Sequence, residues 1–163
     1  MRDAYGDGGE MPLGGYVAIL AAFGTAAAGV LAAAAISGKK LPRRLSGRDI
    51  ALFGIATHKL TRIVTRDWIT SPIRAPFTEF NESTGSGEVS ETSRGSGLQR
   101  AIGDLLTCPF CTGPWIAGAL YSTYLFNRSA ARFVDAMFAS VTVSDWLHNG
   151  YEAVRKVPKQ LGE

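Results

Sequence analysis

The sequence predicts an all-α integral membrane protein with two to three transmembrane helices and one amphipathic helix that is interfacial or re-entrant. Three observations favour this fold class. No charged side chain occurs from Met11 to Gly38, a second charge-free run extends from Leu105 to Asn127, and basic residues directly follow the first run. Because a helix needs about 20 residues to cross a hydrocarbon core about 30 Å thick, each run is long enough to span a membrane.

Residues 1–48 are predicted to form an N-terminal transmembrane helix with a basic cytoplasmic flank. The small residues at 33–35 resemble the cleavage site of a signal peptide, which is the alternative. The net acidic flank before the run and the length of the run favour a retained span. The cluster KKLPRRLSGR at 39–48 follows this span, so it favours contact with anionic lipid of the bilayer over a nucleic-acid site.

Residues 49–69 predict an amphipathic helix with Asp49 as its N-cap and Pro72 as its end. Lys59 and Arg62 near its centre cost about 2.5 to 3.5 kcal/mol each in a bilayer, which exceeds the roughly −3.5 kcal/mol of its large apolar side chains. We therefore expect an interfacial or re-entrant helix. The alternative is a true span whose cations face a polar bundle interior.

The next region is predicted to be a polar loop at residues 70–97, and its part from 81 to 97 has the composition of a flexible linker. Residues 98–113 comprise an amphipathic helix and the sequence CPFC. Transmembrane helices are predicted at 114–127 and 129–148, followed by a C-terminal tail at 154–163.

Pro114 suits the first turn of a helix that Thr112 or Gly113 would cap. A helix from Pro114 to Asn127 is only about 21 Å long, so the apolar helix is expected to include part of the CPFC stretch, with a break near its prolines.

The distribution of Lys and Arg predicts the orientation. With helix 49–69 on the cytoplasmic side, 14 of these residues are cytoplasmic and 3 are outside. If that helix spans instead, 7 are cytoplasmic, 8 are outside and 2 lie within the span. The positive-inside rule favours the first arrangement in a bacterial inner membrane, with the N-terminus outside and the C-terminus and CPFC in the cytoplasm.

The CPFC motif contains the only two cysteines of the chain, Cys108 and Cys111. Its spacing is typical of a redox dithiol at a helix start and equally of half a zinc site, for which His58 is a further candidate ligand. The third reading is a packing or helix-entry role. A thioredoxin-like interpretation needs a βαβ context, which the apolar helical flanks do not provide.

Charged side chains near the predicted membrane surface suggest two further kinds of site. A cationic surface that could hold a phosphate or a lipid head group is formed by His58, Lys59, Arg62, Arg66 and Arg74. Candidates for buried ion pairs are Asp67, Asp145, Glu88 and Arg94, of which Asp145 is expected to partner Lys59 or Arg62. By composition alone, Glu88, Glu91 and Arg94 are solvated charges.

Three blocks, THKLTRIVTRDWITSPIRAPF, GEVSETSRGSGLQRAIGDLLTCPFCTGPW and SDWLHNGYEA, resemble a bacterial and phage membrane-protein family known only as domain of unknown function 1360, some members of which carry a sporulation label. The resemblance covers roughly residues 49–153. It implies that the loop before CPFC is partly ordered and docks on the cationic helix, and it implies no catalytic role. The matching motif positions are His58, Leu60, Arg62, Asp67, Pro72, Arg74, Pro76, Phe77, Cys108, Cys111, Trp115 and Asp145.

These observations predict a small membrane protein of unknown molecular function that is more readily a non-enzymatic component than an enzyme. It would bind a protein partner, lipid or a second copy of itself. The alternative is a membrane-associated dithiol redox or metal-binding module that uses CPFC.

Overall fold

The computed structural model of the protein describes residues 11–160, with side chains described up to residue 156. The chain is mostly helical and contains one β-hairpin. Its elements are α1 (Leu13–Ile36), α2 (Gly47–Arg66), a 3-10 turn (Trp68–Thr70), α3 (Ser71–Arg74), β1 (Thr78–Gly85), β2 (Glu88–Ser93), α4 (Gly97–Thr107), α5 (Pro109–Phe126) and α6 (Arg128–Gln160). The hairpin corrects both the all-α expectation and the expectation of a flexible linker at 81–97.

Helix α1 is, within the described residues, the one helix long and apolar enough to cross a membrane. Its most apolar window is only 6% buried, whereas the core helix of a soluble protein is mostly buried. Gly15 and Ala34 are its two buried residues. The helix packs on α4 and α5 along one side and leaves its remaining apolar surface uncovered.

Helices α2, α5 and α6 form the centre of the bundle. Phe53 of α2 stacks on Tyr121 and meets the edge of Tyr124, both on α5. These aromatic rings belong to a small apolar core that also includes Ala56, Leu120 and Ala131. The core is small, and hydrogen bonds and ion pairs between helices and strands also hold the elements together.

Helix α2 runs antiparallel to α5 and parallel to α6. Asp49 near its start contacts Tyr124 near the end of α5 and Arg132 near the start of α6. Lys59, ten residues later, contacts Asp145 further along α6. The helix therefore lies along its neighbours in the bundle, and whether it spans a membrane stays a prediction.

The ends of α2 differ from the expected ones. Ser46 is the N-cap, since its Oγ accepts a hydrogen bond from the backbone N–H of Asp49 at 3.1 Å. Asp49 is therefore not the cap. The helix ends at Arg66. Pro72 lies in the first turn of α3, where a backbone N–H would have no partner within the helix, so proline is tolerated there.

A break between α4 and α5 occurs in the CPFC stretch, as predicted. Helix α5 begins at Pro109 and continues through Pro114, so the expected start at Pro114 with Thr112 or Gly113 as cap is wrong. The N-cap is Cys108, whose Sγ accepts a hydrogen bond from the backbone N–H of Cys111 at 3.3 Å.

The hairpin turns at Gly85, Ser86 and Gly87, all with positive φ, and its base packs against α4. A Cβ atom at Gly103 would lie 2.4 Å from the carbonyl oxygen of Phe77 and 2.7 Å from the Cβ of Ser93. Only glycine permits this approach.

Two ends of the bundle can now be defined. The loop end comprises residues 37–46, the start of α2, the end of α5 and the start of α6. The hairpin end comprises the hairpin, α3, α4 and CPFC. Lys39 Nζ donates a hydrogen bond to the carbonyl oxygen of Phe126 at 3.4 Å, while Cys108 caps the opposite end of α5. The 18 residues of α5 separate these points by about 27 Å.

The predicted orientation placed the basic cluster and CPFC at one membrane face. The structure puts them at opposite ends of α5, and the orientation of the chain relative to a membrane stays a prediction.

Candidate functional site

A polar cleft of about 680 Å³ lies at the hairpin end, between α2, α6 and the turn of the hairpin. Both histidines of the chain line it, together with charged residues of both signs and two tryptophans. The principal lining side chains are His58, Lys59, Arg62, Asp67, Trp68, Glu88, Asp145, Trp146 and His148. The cleft is therefore a place where chemistry-bearing residues from distant parts of the sequence meet.

Two ion pairs join the walls of the cleft. Lys59 Nζ lies 2.8 Å from Asp145 Oδ2, which connects α2 to α6. Arg62 donates from Nε and from Nη2 to Oε1 of Glu88, which connects α2 to β2. Asp145 and Arg62 remain partly exposed, so each pair contributes little to stability, of the order of 1 kcal/mol or less. Their main effect is to fix the cleft walls and to balance the charge between them.

Arg74 forms a fully buried ion pair beneath the hairpin. Its side chain is 0% exposed, and its Nε lies 2.5 Å from Oε2 of Glu91, which is 6% exposed. Nη1 donates to the carbonyl oxygen of Val64 and to Thr70 Oγ1, at 2.9 and 2.6 Å. Nη2 donates to the carbonyl oxygen of Asp67 and to Ser71 Oγ, at 3.0 and 3.1 Å.

The five bonds of Arg74 match the five donors of a guanidinium group, so none is left for an external anion. This contradicts its expected place in an anion-binding surface and also the expectation that Glu91 is a solvated charge. Arg74 instead holds the last carbonyls of α2 and the hairpin together.

The other predicted cationic residues differ in their surroundings. His58 is exposed and faces the cleft, whereas Lys59 and Arg62 are occupied by carboxylates. Arg66 is half-buried and makes no ion pair within residues 11–156. The surface that was expected to attract anions is thus largely neutralised.

The predicted ion-pair candidates divide in the same way. Asp145 and Glu88 are paired, although neither pair is fully buried. Asp67 contributes its backbone, through a bridge to Glu88 and the carbonyl bond to Arg74. Arg94 is exposed, and its backbone N–H donates to the carbonyl oxygen of Phe77 at 3.0 Å.

The CPFC thiols are both free. Cys108 is half-buried as the cap of α5, and Cys111 is exposed. Partial desolvation, together with a hydrogen bond and charge interaction with Cys108, raises the pKa of the Cys111 thiol to about 11. Since the thiolate is the nucleophile, this shift disfavours Cys111 as the attacking thiol of the pair. Among the described residues, no three His, Cys, Asp or Glu side chains lie close enough to hold a metal ion, and His58 does not join the thiols.

Sequence reasoning missed a polar network at the loop end. Arg132 donates to both carboxylate oxygens of Asp49, at 2.9 and 3.0 Å, and Tyr124 OH donates to Asp49 Oδ2 at 3.2 Å. One turn further along α6, Asp135 is fully buried, and its carboxylate has no hydrogen-bond partner within the described part of the chain. The spacing of Arg132 and Asp135 would indicate a pair within α6, whereas Arg132 pairs with Asp49, 83 residues earlier, so no local signal indicates this network.

Residues 52–151 match the family described as protein of unknown function (DUF1360). The chain belongs to this family. It is also 32% identical over 114 residues to sporulation protein YjcA of Bacillus subtilis (strain 168), a match that covers 63% of this chain and 97% of that protein. No solved structure matches.

The family region begins inside α2 and ends in α6. It therefore contains the polar cleft, CPFC and the three ion pairs of the hairpin end, which are Lys59–Asp145, Arg62–Glu88 and Arg74–Glu91. Helix α1 and the basic segment, residues 39–48, lie before it.

Proposed function

We propose that this protein is a multi-pass integral membrane protein with a non-enzymatic role, and that it binds a protein partner in the polar cleft at its hairpin end. The observation that carries the proposal is the distribution of polarity: nearly half of the buried residues are polar or charged, while many large apolar side chains are exposed on the outer helices. Helix α1 crosses the bilayer in this proposal, as do the segments at 114–127 and 129–148, while α2 lies against them inside the bundle.

The described residues support this arrangement through their burial. Buried polar or charged side chains number eight, against nine buried apolar residues. Large apolar side chains are exposed along the outer helices, among them Leu20 of α1 and Phe133 and Leu147 of α6, each at least 70% exposed. Ionisable residues in membrane bundles face the interior and pair with one another, and extensive exposed apolar surface marks contact with lipid or protein.

The cleft suits a protein segment because it offers several kinds of contact in one place. Trp68 and Trp146 are about half exposed at its wall, and tryptophan is enriched where proteins bind one another. The two half-exposed ion pairs present charges of both signs, which favours a partner that carries both. Arg62, Glu88 and Asp145 all lie inside the family region.

Membrane integration is tested with the protein expressed in bacterial membranes. We expect it to resist extraction at alkaline pH. In a second measurement, a cysteine is placed at the loop end by Ser46→Cys in a Cys108→Ser, Cys111→Ser background, and its labelling by a membrane-impermeant maleimide is compared with that of native Cys111. The two positions should label from opposite sides of the membrane. Extraction, or labelling of both from one side, would contradict the proposed arrangement.

Partner binding is tested with a photoreactive amino acid at Trp146 in the native host membrane. The control places the same group at Tyr151, which is exposed on α6 but outside the cleft. We expect a protein adduct from position 146 only, and we expect Asp145→Asn to remove it while Glu152→Gln does not. Equal adducts from both positions, or an adduct insensitive to Asp145→Asn, would reject the cleft as the binding surface.

A dithiol function is the second candidate, favoured by two free thiols at a helix start with Cys111 exposed. Cys108→Ser preserves a capping oxygen, so a structural CPFC should tolerate it and retain the adduct from position 146. Loss of that adduct in correctly folded Cys108→Ser and Cys111→Ser variants would favour the dithiol function.

A further inference from the structure

An apolar groove of about 700 Å³ lies between α1 and α5. Phe23, Ala27 and Leu31 contribute from α1, and Trp115 and Ala119 contribute from α5. Phe23 and Trp115 meet edge to face at a centroid distance of 5.1 Å near one end of the groove. The volume lies in the range of 300 to 1,000 Å³ typical of ligand sites.

The basic segment forms the other end of this groove. Leu41 and Pro42 line it, and both lie within the run that contains Lys39, Lys40, Arg43 and Arg44. The groove therefore passes from an apolar channel between helices to a cationic segment at the loop end.

Local structure fixes the segment in this place. Gly38 has a φ of +64°, and the backbone N–H of Lys39 donates to the carbonyl oxygen of Ala34 at 2.8 Å. This left-handed turn ends α1 and reverses the chain. Lys39 Nζ then donates to the carbonyl oxygen of Phe126 at the end of α5, where a cation also opposes the negative end of the helix dipole.

Within the described part of the chain, the cations of the segment have no carboxylate partners. Within residues 11–156, no ion pair involves Lys39, Lys40, Arg43, Arg44 or Arg48, and all five side chains are exposed. An anion from outside the chain can therefore approach them without displacing an internal partner.

We propose that an anionic diacyl phospholipid binds here, with one acyl chain in the groove between α1 and α5 and its phosphate group on Lys40, Arg43 and Arg44. Basic pockets between membrane helices suit such head groups, and each basic residue near an anionic surface contributes to the attraction. Nucleic acid has no part that would fill the apolar channel. The inference rests on the proposed membrane integration of α1 and α5.

The test uses Trp115 as the probe, since it lines the groove and is one of three tryptophans. Full-length protein with Trp68→Phe and Trp146→Phe is reconstituted in phosphatidylcholine vesicles that contain a minority of phosphatidylglycerol. Bromine atoms, which quench tryptophan fluorescence, are placed on the acyl chains of the phosphatidylglycerol or, in the matched sample, of an equal fraction of the phosphatidylcholine.

We expect brominated phosphatidylglycerol to quench Trp115 several times more strongly than brominated phosphatidylcholine. Combined Lys40→Gln, Arg43→Gln and Arg44→Gln should lower the selectivity about tenfold or more, given the contribution of each cation. The charge-matched control changes Arg94, Arg155 and Lys156 to Gln and should leave it unchanged. Ala27→Phe should block the groove and reduce quenching, whereas Ala28→Phe, exposed on α1 outside the lining, should not.

Three outcomes would overturn the inference. The first two reject the lipid site alone, and the third also rejects membrane integration. Equal quenching by both lipids in the parent protein would show ordinary bilayer contact without a selective site. Absence of quenching, in protein that floats with the vesicles, would show a groove closed to lipid, for example by a second copy of the chain. Protein that does not float with the vesicles would refute the proposed membrane integration itself, and this inference with it.

Discussion

The two ends of the bundle contain similar numbers of cations but differ in how those cations are used. At the hairpin end, Lys59, Arg62 and Arg74 each have a carboxylate partner. At the loop end, the basic segment at 39–48 has none within the described residues. The difference arises because β2 and α6 bring acidic residues to α2, while no carboxylate of the described residues forms an ion pair with the segment. Clusters of positive charge that look alike in sequence therefore differ in their surroundings within the described residues: one is paired inside the fold, and the other is exposed and is the proposed site for an external anion.

The largest loss of unfolding free energy is expected from breaking the buried ion pair between Arg74 and Glu91 at the hairpin end. Arg74→Met leaves Glu91 buried without its cation and frees the carbonyl groups that Arg74 holds. Removing one partner of a buried pair costs about 3 to 5 kcal/mol of unfolding free energy. Denaturant unfolding in detergent, followed by circular dichroism, measures this. Arg62→Met is the control and should cost less than about 1 kcal/mol, because its pair with Glu88 is partly exposed. Equal losses in both variants would contradict the distinction between the two pairs.

A smaller loss is expected where the hairpin touches α4. Gly103→Ala places a Cβ atom 2.4 Å from a backbone oxygen, and such overpacking costs about 1 to 3 kcal/mol. Gly54→Ala in α2 meets no atom within 4 Å and should stabilise the helix by up to about 1 kcal/mol. The same unfolding measurement should thus move in opposite directions for these two glycines. A neutral Gly103→Ala would mean that the hairpin is not docked as closely as described.

The cap of α5 should contribute about as much as an ordinary N-cap. Cys108→Ala removes the acceptor for the backbone N–H of Cys111 and should cost about 1 kcal/mol. Cys108→Ser retains an acceptor of similar reach and should cost only a few tenths. Melting temperatures of both variants in one detergent provide the comparison. If serine is as harmful as alanine, the thiol itself, and not its capping bond, is what matters.

The smallest effect on stability is expected at the loop end. Combined Lys40→Gln and Arg44→Gln remove two exposed cations without carboxylate partners and should change the unfolding free energy by less than about 0.5 kcal/mol. A loss above 1 kcal/mol would show that these side chains make internal contacts, and the contrast between the two ends would then disappear.

Much of this arrangement follows from residues that can be read locally. The apolar helix at Leu13–Ile36, the amphipathic helix after it and the break at CPFC all depend on periodicity, length and proline positions, which are local properties. The sequence predicts that Asp145 pairs with Lys59 or with Arg62, but it does not decide between them. The choice depends on the register of α2 against α6, which is set by the packing of Phe53 and its neighbours.

The hairpin was the main structural feature that composition concealed. Polar residues such as Glu88 and Glu91 are typical of a linker when they are considered alone. They become part of an ordered sheet because Arg74 and Arg62, far away in the sequence, receive them. Composition measures solvation preferences, and it contains no information on a partner that only the tertiary fold supplies. The capping of α5 by Cys108 was missed for a different reason, since cysteine is not among the residues that usually cap helices.

The acidic partners of the α2 cations all follow α2 in the sequence, and this order affects how the protein is assembled. The partners of α2 are synthesised after it: Glu88 follows Arg62 by 26 residues, and Asp145 comes later still. While α2 leaves the ribosome, its cations have no counter-charge, and a bilayer would reject it at that stage. In the proposed membrane arrangement, stable entry of α2 into the bilayer therefore follows synthesis of the hairpin and α6. A chain truncated after residue 97 should leave residues 47–66 accessible to a soluble protease, whereas the full chain should protect them.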